Sequence, residues 1–113
     1  MRDAINELKK ETERSKIFMD KISNEIRLVE GLLQKKGIPI SQYEIDDSNF
    51  LVFCKERLMF LNKKMDEPRP LIEMPIDIRI FCYKHLDKFL KKVVLEMKQR
   101  NDELEAKYES DNN

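Results

Sequence analysis

The chain carries one histidine, His85, and two cysteines, Cys54 and Cys82, so few residues decide its capacity for catalysis. A single imidazole excludes clustered-histidine metal sites and leaves one candidate base for any nucleophilic arrangement. Cys82 and His85 stand three residues apart. On a helix their side chains could meet, and the imidazole would then lower the thiol pKa. No third group is indicated, however, and His85 is flanked by lysines in the manner of a surface histidine. Gly31 and Gly37 are the only glycines, so neither GxxxxGK[ST] nor GxGxxG can be built and nucleotide chemistry of those types is excluded. The acidic run "EIDDSN" at 44–49 lacks the central glycine and the twelfth-position glutamate of a calcium loop. It reads as a turn in which Asp and Asn bond their own backbone. The chain is therefore expected not to be an enzyme and to need no cofactor and no metal.

The sharpest remaining chemical feature is a row of lysines. Residues 76–100 carry seven basic residues against Asp77, Asp87 and Glu96, whereas 101–113 carry five acidic residues against Lys107. On a helix Lys84, Lys88, Lys91 and Lys98 occupy a narrow sector, flanked by Lys92, and such a row could track phosphates. Against that stand 22 basic and 22 acidic residues in total and the acidic segment that follows. Blocks of this kind are the ordinary dress of solvated helix faces. Leu95 falls in the same sector and points instead to a protein partner.

These residues must be positioned by a small scaffold. With 113 residues, 41% of them hydrophobic, the chain makes one domain with a modest core. No leader-like segment and no apolar run near 20 residues occur. Two cysteines in apolar surroundings without CxxC spacing read as buried free thiols in a reducing compartment. A cytoplasmic protein with no membrane association is expected.

From Ile5 to Leu33 (Ile5, Leu8, Thr12, Ser15, Met19, Ile22, Ile26, Val29, Leu33) the steps alternate between three and four, the repeat of a helix with one narrow seam. The spacing predicts a helix over 1–36, roughly 50 Å long, ended by Gly37. Its seam is apolar from Met19 onward and weakened earlier by Thr12 and Ser15. Residues 37–75 hold every proline, and within them "NFLVFC" and "RLMFLN" read as two strands joined by Lys55-Glu56. That pair lacks the Asn-Gly chemistry of tight turns, so a longer turn is an alternative. "PLIEM" could add a third strand at an edge. Helical spacing resumes through Cys82, Leu86, Phe89, Leu90, Val93, Val94 and Met97, which predicts a second long helix over 76–108 and a frayed tail at 109–113. Ile76, Ile78 and Ile80 alternate like a strand, but Pro75 ahead of them and the immediate continuation to Cys82 assign them to the first helical turns.

The expected architecture is thus α+β and helix-rich, in the order α-β-β-α. Two long antiparallel helices flank a short antiparallel hairpin, with their weak ends side by side. Ile17 and Leu28 are left over once this core is assigned, and with Leu95 they form a candidate interface. The function expected is a non-catalytic protein-interaction or assembly module that forms a homodimer. The alternative is a nucleic-acid-associated regulator using the lysine row.

Overall fold

The computed structural model describes residues 1–112. It runs α1 (Arg2–Lys35), β1 (Ser41–Glu44), β2 (Asn49–Cys54), β3 (Arg57–Asn62), β4 (Arg69–Pro70), a 3-10 turn (Leu71–Glu73), α2 (Ile76–Tyr83) and α3 (Leu86–Asn112). The fold is α+β and helix-rich, with a helix–sheet–helix layout as the patterning predicts. α1 stops where Gly37 adopts a φ of 61°. The Gly37 N–H then reaches the Gln34 carbonyl and the Ile38 N–H the Leu33 carbonyl, which satisfies the helix end.

The sheet is an antiparallel meander in the order β1-β2-β3-β4. β2 and β3 pair from Asn49↔Asn62 to Cys54↔Arg57, so Lys55 and Glu56 alone make the turn. Both have positive φ, 51° and 61°, the mirror-image geometry whose twist matches the strands. The longer turn is therefore not needed, although neither residue is glycine. β1 is the strand that residue type does not announce. Its polar sequence Ser-Gln-Tyr-Glu is recruited by pairing with Phe50–Phe53 of β2. The acidic run closes that hairpin as a turn, because the Asp46 carboxylate accepts the N–H groups of Ser48 at 2.8 Å and Asn49 at 2.9 Å. At the other edge β4 is only two residues long, opposite Phe60 and Met59. The extended stretch expected to reach Met74 instead ends at Pro70, where the 3-10 turn drives Leu71 into the core.

Strand alternation divides the sheet into two faces. Leu51, Phe53, Leu58 and Phe60 point toward the helices and join Ile22, Ile26 and Leu33 of α1, Cys82 of α2, and Leu86, Phe89 and Val93 of α3 in one core. Ile76, Ile78 and Ile80 lie in α2 and not in the sheet. α1 is pinned to β3 by Glu30, whose carboxylate accepts from Arg57 Nε at 3.0 Å and from the Leu58 N–H at 2.8 Å.

Two further expectations are corrected. The helix expected as one piece over 76–108 is two, separated by a turn at Lys84-His85 in which the His85 N–H bonds the Cys82 carbonyl three residues back. No glycine or proline marks this break. It lets Cys82 and then Leu86 and Phe89 all enter the core. Beyond it α3 continues through Asn112, and Asn113, the last residue of the expected frayed tail, lies outside the described residues. The second correction concerns direction. Arg79 of α2 donates to Ser23 Oγ, the Tyr83 hydroxyl lies near the Glu25 carboxylate, and Leu33 shares a groove with Val93 and Met97 of α3. Residue numbers rise together along both partners, so α1 and the α2–α3 segment run in the same sense rather than antiparallel. The cause is that the meander and the 3-10 corner return the chain to the middle of α1, beside Ser23, and not to its C-terminal end.

Their weak ends consequently point apart. The molecule measures 81 × 28 × 20 Å, and α1 itself accounts for about 51 Å of the long axis. The first half of α1 forms one arm and the last turns of α3 form the opposite arm.

Candidate interaction surfaces

Cys82 and His85, the residues that could do chemistry, both lie at the junction of α2 and α3. Cys82 is fully buried, and burial pushes its thiol up to about 12. No thiolate forms there at neutral pH. The His85 ring packs against Phe81 with centroids 5.6 Å apart, and its Nδ1 is buried without a hydrogen-bond partner among the described residues. Also among the described residues, no group of three His, Cys, Asp or Glu side chains could hold a metal, and no helix is long and apolar enough to cross a membrane.

The lysine row is interrupted. Lys84 sits in the turn between α2 and α3, whereas Lys88, Lys91, Lys92 and Lys98 are on α3. Lys91 pairs with Asp87 at 2.9 Å, and that carboxylate holds its ammonium above the ordinary range. Lys92 donates to the Gln42 carbonyl and lies 3.6 Å from Glu96, which itself accepts a 2.9 Å bond from Ser41. Lys92 and Glu96 therefore clamp α3 along the edge strand β1 and occupy backbone that another strand would seek. Lys84, Lys88 and Lys98 remain exposed to solvent. Sequence reading missed the clamp because Ser41 and Glu96 are 55 residues apart, with no local pattern to link them.

The three residues set aside as a candidate interface are all exposed: Ile17 on the α1 arm at 62%, Leu28 over the core at 72%, and Leu95 on α3 at 58%. None of them lines the main apolar groove. That groove, about 360 Å³, lies at the root of the α3 arm, between the end of α1 (Leu32, Leu33), Ile38, and Leu90, Val93, Val94 and Met97 of α3. Val94 is 60% exposed at its rim, and farther along the arm Leu104 is 54% exposed. On the other arm Ile5 and Leu8 of the seam are exposed, while the C-terminal part of the same seam, Ile22, Ile26 and Leu33, is in the core. Every residue from Met1 to Lys21 and from Lys98 to Asp111 is exposed.

A second apolar surface is the sheet face turned away from the helices, which carries Phe50, Val52, Cys54, Met59 and Leu61. Val52 and Met59 are buried yet stand outside the common core. In the sequence this face was hidden, because its residues alternate one by one with core residues in runs that are apolar throughout. Comparison with known proteins gives no match: no family model, no curated protein and no solved structure is similar to this chain.

Proposed function

We propose that this protein is a non-catalytic interaction and assembly module that works as a homodimer, its contacts made by helical arms which a small α+β core holds apart. One observation supports the reading above the others. Both arms leave the core exposed to solvent while carrying apolar seam residues, Ile5 and Leu8 on one and Leu104 on the other, with Val94 at the latter's root. Helices of this length draw most of their stability from packing an apolar face, so a solvated arm with such a face is the element a partner completes. The desolvated Cys82 thiol supports the non-catalytic side.

The test is sedimentation equilibrium over a wide concentration range. A mass rising from 13.6 kDa to twice that value is expected. A single 13.6 kDa species at every concentration would remove self-assembly as the function.

A further inference from the structure

The α3 arm specifies its partner more closely than the α1 arm does. Leu90, Val94, Met97, Asn101, Leu104 and Tyr108 follow one another at steps of four and three, the heptad spacing of a two-stranded coil. Val94, Asn101 and Tyr108 then take the a positions, and Leu90, Met97 and Leu104 the d positions. The seam starts inside the groove at the arm's root, which Leu90, Val94 and Met97 line, and emerges along a helix exposed on all sides from Lys98. Its only wholly polar member is Asn101. A lone asparagine at an a position is the residue that selects two strands, parallel and in register, because only then does it face its own copy.

Charge is compatible with that arrangement. In a parallel pair the g residue Arg100 of one copy lies opposite the e residue Glu105 of the other, and two-fold symmetry makes the attraction twice. An antiparallel pair would set Arg100 against Lys107, offset by Lys98 against Glu105, and would leave Asn101 against Leu104, so the orientation rests on the asparagine. The α1 seam has no comparable signature, since Thr12 and Ser15 interrupt it together and the Thr12 hydroxyl is bonded to its own helix at Leu8. The α3 arm is short for a free coil, but its first turns are already fixed by Leu86, Phe89 and Val93 in the core, which removes the nucleation cost.

We infer that the occupant of this face is a second copy of the chain, bound through a parallel, in-register coil of the two α3 arms centred on Asn101. This rests on the self-assembly reading and adds which arm, which orientation and which register. The contact buries Val94, Met97, Leu104 and Tyr108 of both copies and closes the groove at the arm's root.

Engineered thiols test it in the full-length chain, with Cys54→Ser removing the half-exposed native thiol and Cys82 already buried. Under mild oxidation Asn101→Cys is expected to give a covalent dimer and Asp102→Cys, on the outer face, is not. Leu104→Asp should weaken association by roughly ten-fold or more, given the cost of placing a charge in an apolar seam. Arg100→Glu should weaken it several-fold and Glu105→Arg in the same chain should restore it. Leu104 is exposed in the single chain, so thermal unfolding at high dilution should stay unchanged and separates lost association from lost folding. A dimer that survives Leu104→Asp and yields no Asn101→Cys cross-link overturns the inference while self-assembly stands. A trimer, or loss of the dimer on Leu8→Asp instead, overturns it equally. A monomer at all concentrations removes both.

Discussion

Cys82 shows how burial decides a residue's chemistry. Its spacing to His85 suits a thiolate pair, yet desolvation against the core pushes the thiol up to about 12. In the native protein at neutral pH, iodoacetamide should therefore modify Cys54 alone, and Cys82 should react only after unfolding. Rapid native labelling of both, counted by mass spectrometry, would contradict this. Glu30 is the opposite case, an acidic residue whose side chain is only 14% exposed. It serves both the Arg57 guanidinium and the Leu58 N–H, so Glu30→Ala leaves two donors without an acceptor. A loss of about 2 kcal/mol is expected in urea unfolding, with Glu30→Gln costing less because it can still accept one bond.

At the level of elements, the β2–β3 hairpin carries local strain. Lys55 and Glu56 are held in the left-handed region, which costs a residue with a Cβ roughly 1–2 kcal/mol. Strand pairing on both sides, and the Gln34 side chain donating to the Glu56 carbonyl at 2.7 Å, keep the turn tight nonetheless. The double substitution Lys55→Asn with Glu56→Gly installs the dipeptide this turn geometry favours and should raise stability by about 1 kcal/mol, visible as a higher Tm. An unchanged or lower Tm would mean that the native pair makes contacts worth more than the strain. The same hairpin explains what could be read locally. Its strand residues, like the Asp46 turn of the neighbouring hairpin, are local patterns, whereas its two-residue connection lacks the usual turn residues and β1 exists only because β2 offers an edge. The break at Lys84-His85 carries no breaker residue, so it too comes from packing.

For the whole molecule, the relative direction of the helices sets the shape. Because α1 and the α2–α3 segment run in the same sense, the arms extend from opposite ends and the long axis reaches 81 Å. Antiparallel helices would place both arms at one end and shorten the particle to about the length of α1, roughly 55 Å with its flanks. Small-angle scattering at dilution should therefore give a maximum dimension near 80 Å for the monomer, in keeping with that 81 Å axis. Opposed arms also separate two apolar seams, so a partner on α3 need not disturb the arm formed by the first half of α1.

Residue order was enough for the fold class, the limits of α1, the two strands of the central hairpin and the assignment of Ile76, Ile78 and Ile80 to a helix. Each of these rests on a period, a glycine or a proline within a short window. The strand β1, the division between α2 and α3, the clamp of Lys92 and Glu96 on the sheet edge, and the co-directional helices came only with folding in three dimensions. Those features depend on which surfaces meet across 50 or more residues, as Ser41 meets Glu96. The α1 seam shows both levels at once: one three-and-four spacing from Ile5 to Leu33 is core in its second half and exposed in its first, because burial on α1 begins only at Ile22 and Ser23, where Arg79 of α2 packs beside it.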